Sequence, residues 1–294
     1  MKEFDQQEAQ LYKNLDALNA VEINYAFSPR KFGNMAFPYG EMTEVIANRR
    51  RFLAAAGMTL EDVVFMRPVH KVNIEVVGLK DKGKGSLEAS SAILSTDALI
   101  TTDKGVGLAL NAADCAPVIL TNRQAEFLAL YHAGREGSDL QIGHLVITRL
   151  KRMGFTNLDD FVAGIGPAIG KCCYRQQYLQ THTPDPWLPY LSCGDSNSTC
   201  IVERINNLEP PLYKVRAEDA SSKLYLDING FNRAQLITAG VLESNIAVST
   251  CCTSCDAERD LIFSHVVSAR YVSTQKASAF PEGRFMAVAI LKED

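Results

Sequence analysis

The chain has 294 residues, 47% of them apolar, and a net charge of −4. That length and apolar content allow a large buried core. The slight acidity, with no basic stretch interleaved with aromatics, argues against nucleic acid or an anionic membrane as main partner. The opening MKEFDQQEAQ is too polar for a signal peptide. No run approaches the roughly 20 apolar residues of a bilayer span, so a cytoplasmic location is expected.

Residues 1–20 read as a polar amphipathic lead-in, and 21–294 as one domain, since no composition shift marks an internal boundary. Val21–Phe27 alternates like a strand and runs into a Pro/Gly/Asn-rich loop. Thr43–Gly57 is helical, with Val45, Ile46, Arg49, Phe52 and Leu53 on one face and Gly57 as its stop. Val63–Phe65 and Val72–Val77 are strands around His70, and Gly78–Gly85 is expected to be a mobile surface loop. The centre is the most apolar part: Ala98–Thr102, Gly105–Asn111, Pro117–Thr121 and Glu126–Tyr131 read as short strands of a mixed sheet. Ser138 with Gln141 forms a capping-box pattern, which predicts a helix over Ser138–Met153. Phe161–Ile165 is a strand, Thr181–Thr199 an irregular excursion, Asn229–Leu242 a helix and Phe285–Leu291 a closing strand. The expected fold class is α/β of the α+β type, with mixed sheets layered between helices.

Three residues stand where apolar runs meet turns: His70, Cys115 in Ala-Ala-Asp-Cys-Ala-Pro, and His132 in Tyr-His-Ala-Gly. Pro117 biases Ala116 towards extended geometry, which holds the thiol in a turn between buried strands. His132 ends a strand just before a glycine turn, whose free N–H groups suit an anion. Two imidazoles and a thiolate can bind one borderline metal and leave a fourth position free. The same trio also suits a Cys-His nucleophile, so two chemistries stay open. Each residue alone also has a structural explanation, since buried Cys and strand-end His are common in cores.

Weaker signals surround the trio. The glycine-rich loop Gly164–Gly170 lacks both the GxGxxG spacing and a P-loop Lys. Cys252-Thr-Ser-Cys255 is a CxxC with no evident second pair, poor evidence for structural zinc or redox work. The eight cysteines, partly adjacent (Cys172-Cys173, Cys251-Cys252), sit in a long chain without a secretion signal, and reduced thiols are expected. No His-x-Glu occurs, so the zinc nucleobase deaminase signature is absent.

Taken in order, the motifs Thr96-Asp97-Ala98-Leu99-Ile100-Thr101, Ala113-Asp114-Cys115-Ala116-Pro117-Val118, His132-Ala133-Gly134 and Gly166-Pro167-Ala168-Ile169-Gly170 resemble the laccase-domain (YfiH-like) family. Asn48-Arg49, Val69-His70, Leu226-Asp227, Cys252-Thr253, Phe263-Ser264 and Gly283-Arg284 extend the resemblance over about residues 21–291. Members are also called multicopper polyphenol oxidases or purine nucleoside phosphorylases. The resemblance implies a metal, usually zinc, on His70, Cys115 and His132. It implies cleavage of purine nucleosides with phosphate, with adenosine deamination and methylthioadenosine cleavage as related activities.

Copper is the less suitable metal, because no Met has an evident axial place. Gly134, Arg135 and Arg284 are the expected anion or ribose contacts, and Asp114 is expected to steady a metal ligand. Small-molecule nucleoside and phosphate are the implied partners. A metal-free hydrolase or amidase with Cys115 as nucleophile is the alternative, and suits members described as cell-wall precursor editing factors. A member that only binds metal is the third possibility. The chain departs from the family pattern at Arg135-Glu136, where Trp-Arg is usual, and at His265-Val266-Val267, where Tyr-Arg-Arg is usual. A carboxylate at 136 near phosphate would be repulsive, which makes phosphorolysis less secure than metal binding.

Overall fold

The computed structural model describes residues 15–175, 183–193, 200–204, 212–217 and 223–293. Residues 1–14 of the expected lead-in, and 181–182 (with His182) and 194–199 of the expected excursion, lie outside them. In chain order the strands are Ile23–Phe27 (β1), Val63–Arg67 (β2), Ile74–Val76 (β3), Ile93–Leu94 (β4), Ala98–Thr101 (β5), Gly107–Ala112 (β6), Ala116–Asn122 (β7), Leu128–Ala133 (β8) and Phe161–Ile165 (β9). Then come Thr183–Pro184 (β10), Leu191–Cys193 (β11), Cys200–Arg204 (β12), Leu212–Ala217 (β13), Leu224–Leu226 (β14), Ile246–Val248 (β15) and Phe285–Leu291 (β16). The helices are Asp16–Asn19 (α1), Met42–Ala55 (α2), Arg135–Asp139 (α3), Ile142–Arg152 (α4), Ile228–Thr238 (α5), Thr253–Ala257 (α6) and His265–Tyr271 (α7). Among the described residues no helix is long and apolar enough to cross a membrane.

Two mixed sheets carry the fold, as expected. One has six strands in the order β15-β9-β7-β8-β5-β3, the other five in the order β1-β16-β6-β2-β4. The period-2 alternation of each strand sorts its side chains between two cores. Leu99, Ile119, Leu128 and Leu130 of the six-stranded sheet meet Leu108, Leu110, Ala287 and Ala289 of the other, so one core lies between the sheets. Their neighbours Ile100, Val118, Leu120 and Tyr131 face outward onto Ile142, Val146 and Leu150 of α4 and Leu236 of α5. On the far side, Val63, Phe65, Met286 and Val288 pack on Phe52 and Leu53 of α2. The layers are therefore helix, sheet, sheet, helix. Burial of both faces explains why these strands read as continuous apolar runs. A smaller cluster centres on Trp187, stacked on Phe231 at 3.5 Å between ring centroids.

Three local expectations change. The helix over Ser138–Met153 is broken, because Gln141 adopts a left-handed conformation and caps α4. The Ser138 hydroxyl is buried and bonds to Asn232 rather than capping a helix. Residues 78–85 are a packed series of turns rather than a loose loop. Asp81 accepts from the Gly78 N–H, and a Cβ on Gly85 would lie 2.6 Å from Phe65 Cβ. Reduced thiols do not hold for one pair: Cys193 and Cys200 form a disulfide, with Cα atoms 5.3 Å apart. That proximity is one that composition cannot display.

The loop at Gly164–Gly170 is a close-packed turn between the sheets. A Cβ on Gly166 would sit 2.5 Å from Phe27 Cε1 and 2.9 Å from Pro117 Cγ. Gly166→Ala is expected to destabilise the fold by about 1–3 kcal/mol through overpacking. The midpoint of urea unfolding measures it, and an unchanged midpoint would contradict this packing.

Candidate metal and substrate site

The strand register builds the site. β7 and β8 pair antiparallel with Ala116 opposite Ala133 and Pro117 opposite His132. Continuing that register sets Cys115 against Gly134. On the other side β5 pairs Ala98 with Tyr131, and the His132 N–H donates to the Asp97 carbonyl at 2.8 Å. By alternation His132 shares the inter-sheet face of Leu128 and Leu130. It therefore points into the mouth between the sheets.

His70 comes from the loop before β3 and has φ of 59°, a left-handed conformation unusual for a residue with a Cβ. Asp114, with φ of 84°, makes the same kind of turn beside Cys115. Such strain persists only where the surroundings fix it, and it gathers at functional sites.

The structure brings the three predicted residues together. One ring nitrogen each from His70 and His132, and the Cys115 sulfur, all lie within 4.8 Å of one another. The two imidazoles meet edge to face at 4.8 Å. Gly134 is required beside them: a Cβ there would lie 2.9 Å from Cys115 Sγ and 3.3 Å from His70 Cδ2. Thus Gly134 matters through what it lacks.

Two buried carboxylates hold the trio, and sequence reasoning singled out only one of them. Among the described residues Asp114 hydrogen-bonds to Thr253, Ser264 and Val266 rather than to a side chain of the trio. Its carboxylate accepts from the Thr253 and Ser264 hydroxyls at 2.6 and 2.7 Å and from the Val266 N–H at 2.7 Å. It thereby fixes the turn that presents Cys115. The carboxylate facing the trio belongs to Asp97, fully buried, 3.9 Å from His132 Nδ1, an ion-pair distance rather than a hydrogen bond. Asp97 also accepts from the Val69 N–H at 3.0 Å, next to His70. A single carboxylate therefore touches both histidine-bearing segments. Only its place in the Thr96-Asp97 motif hinted at this.

Electrostatics follow from these contacts. Burial alone would push the Cys115 thiol up, but His132 first and His70 second outweigh it and hold it at about 6. Burial would lower His132, whereas the Cys115 thiolate and Asp97 raise it to about 9. Without metal, the pair is a thiolate and an imidazolium at neutral pH. Burial raises Asp97, while His132 and the N–H groups of Lys71 and Val69 bring it below the usual carboxylate range.

A cavity of about 500 Å³ opens over the trio, within the usual range for small-molecule sites. Phe37, Tyr39 and Phe65 give it aromatic walls, and Arg49 and Arg284 give it positive charge. Arg284 Nη2 donates to the Tyr39 hydroxyl at 2.7 Å. Arg49, overlooked as a site residue, is sandwiched between Phe37 and Phe65, and burial lowers it to about 9. Neither Arg135 nor Glu136 is among the residues lining this cavity. Glu136 pairs with Lys71 at 3.2 Å, and Arg135 lies 3.7 Å from Glu136. Glu136 and Arg135 thus lie outside the cavity lining, although Glu136 is close enough to His70 for the two charges to interact. Val266 and His265, at the other departure from the pattern, do line the cavity.

Comparison with known proteins fits this geometry. The family model described as multi-copper polyphenol oxidoreductase laccase matches residues 26–182 and 198–292. The chain belongs to that laccase-domain family. It is 36% identical over 234 residues to a Geobacillus stearothermophilus protein named purine nucleoside phosphorylase YlmD, covering 79% of this chain and 77% of that one. A protein named adenosine deaminase RL5, from an unknown prokaryotic organism, is 29% identical over 68% of both chains. The solved structure of Bacillus licheniformis YfiH superposes with a TM-score of 0.71 at 25% identity, covering 96% of this chain and 98% of that one.

Two outcomes check this laccase-domain site. In chelator-treated protein, alkylation of Cys115 should rise with pH through a midpoint near 6, because the thiolate reacts and is lost as pH falls through that value. A midpoint at the ordinary thiol value of 9.0 would contradict the ion pair. Asp97→Asn should weaken metal binding by about 10–100-fold while the fold persists. Competition with a chromophoric chelator measures it.

Proposed function

We propose that this chain is a zinc-dependent enzyme that cleaves purine nucleosides with phosphate. The observation that carries the reading is the convergence of His70, Cys115 and His132 on the floor of an aromatic-walled cavity. The donor set fits a metal. Two imidazoles and one thiolate with an open fourth position match catalytic zinc. Met66 also lines the cavity, and two imidazoles with a thiolate suit copper as well, so the choice of zinc rests on the open fourth position of a catalytic site. Bound there, the metal would supply a Lewis acid or lower the pKa of a water molecule.

The protein's own residues do the rest. The aromatic wall built by Phe37 and Tyr39, each with one face against a guanidinium, suits a flat purine. Arg284, although ion-paired with Glu282, and the buried Arg49 favour a phosphate near the ribose. Carbonyl oxygens of Met35, Gly85 and Ser86 accept three N–H bonds from Arg49, so its charge is fixed in place. Asp97 holds the orientation of His132, and Asp114 that of Cys115. The reading places the enzyme in the cytoplasm, with a small-molecule nucleoside and phosphate as its substrates. Relatives named purine nucleoside phosphorylase support the substrate class.

A second reading draws on the thiolate–imidazolium pair. With no metal bound, Cys115 and His132 would form a nucleophile and its proton carrier, as in Cys-His hydrolases and amidases. Adenosine deamination is a further chemistry at the same site, and one relative is named for it.

Incubating zinc-loaded protein with inosine or adenosine, with and without inorganic phosphate, separates these. Ribose 1-phosphate and free base should appear only with phosphate. Equal base release without phosphate would establish hydrolysis instead, and deaminated product without base release would establish deamination. Arg284→Ala should raise KM for phosphate by about tenfold or more, the loss of a charge-assisted contact. Arg135→Ala should leave it nearly unchanged. The reverse order would put the anion outside this cavity.

A further inference from the structure

A second set of soft ligands converges away from the cavity floor. Cys172 and Cys173 lie on the turn after Gly170, and Cys252 and Cys255 open α6. Their four sulfurs lie within 4.8 Å of one another. The CxxC that lacked a partner pair in the sequence has one in space, some 80 residues earlier.

Distance decides what the cluster suits. Cys255 Sγ is 3.7 Å from Cys172 Sγ and 3.5 Å from Cys173 Sγ. Disulfide bonding needs about 2.05 Å. Four thiolates about 2.3 Å from a tetrahedral zinc are separated by roughly 3.8 Å. The observed spacings are close to edges of that tetrahedron. The backbone favours thiolate character as well. The Gly170 N–H donates to Cys252 Sγ at 3.2 Å. A Cβ on Gly170 would approach Cys252 Cβ to 3.1 Å and Cys172 Sγ to 3.3 Å, so only glycine lets the two turns close this far without adjustment.

The cluster sits at a junction. Ala168 and Cys252 form a parallel bridge, and the Thr253 N–H donates to the Ala168 carbonyl at 3.0 Å. Thr253 is the residue whose hydroxyl holds Asp114, the neighbour of Cys115. Tyr174, next to Cys173, lines the cavity. A cross-link here would stiffen one wall of the active site.

We propose that Cys172, Cys173, Cys252 and Cys255 form a closed tetrathiolate site that takes one zinc-class divalent cation and clamps residues 170–175 to the start of α6. The cation binds as the four thiols release their protons to solvent; no electron transfer is involved. With four protein ligands it has no open position, so its role is structural.

The test uses the full chain carrying Cys115→Ser, which removes the thiolate of the first site. Purified under reducing conditions with zinc alone, this protein should retain about one zinc per chain by elemental analysis. Adding Cys172→Ser and Cys255→Ser should abolish it, whereas Cys255→His in place of Cys255→Ser, with Cys172 intact, should keep it. If the serine variants misfold, cobalt(II) titration of the wild-type chain decides. Its thiolate-to-cobalt charge-transfer band should have the intensity of four thiolates beyond the one from Cys115. Zinc loss should also lower Tm.

A folded Cys115→Ser protein that takes up neither zinc nor cobalt would overturn the proposal. So would disulfides among these four cysteines that persist after reduction and zinc addition. Failure of the first site reads differently: wild-type and Cys115→Ser proteins would then hold the same single metal.

Discussion

The register between β7 and β8 is the constraint on which the rest depends. It sets Pro117 against His132, and by extension Cys115 against Gly134. A slip of one residue would turn every side chain of a strand to the opposite face. Leu128 and Leu130 would leave the inter-sheet core, and His132 would leave the cavity with them. The burial of both faces therefore does more than stabilise the sandwich. It fixes which side of the sheet carries the chemistry.

Asp97 extends that order to His70. A fully buried carboxylate is costly unless paired and hydrogen-bonded. Here its partners are His132 and the Val69 N–H, which belong to the two segments bearing the imidazoles. The need to satisfy one charge thus positions both imidazoles. Asp114 does similar work from the other side, holding Thr253, Ser264 and Val266 around the Cys115 turn. The left-handed residues beside the cavity, His70 and Asp114, are held by this framework.

Much of the fold was legible in the sequence because the central strands bury both faces and read as apolar runs. His70, Cys115 and His132 stood out because each ends or precedes such a run. What was not legible depended on contacts between distant segments. Asp97 is one ordinary residue until β5, β8 and the His70 loop meet on it. Ser138 has the sequence of a helix cap, but its hydroxyl is taken by Asn232 from another helix. Glu136 looked hostile to phosphate, yet it lies outside the cavity lining and pairs with Lys71. The four-cysteine cluster was hidden because its halves lie far apart in sequence, and a lone CxxC says little.

The family resemblance and the geometry meet at one claim, a metal held between two imidazoles and a thiolate at the foot of the cavity. Anomalous diffraction at the zinc absorption edge, on crystals of zinc-loaded protein, tests it most directly. The account predicts a peak bonded to Cys115 Sγ and to one ring nitrogen each of His70 and His132, its fourth position facing the cavity. Well-ordered side chains at these three residues with no peak between them would contradict it.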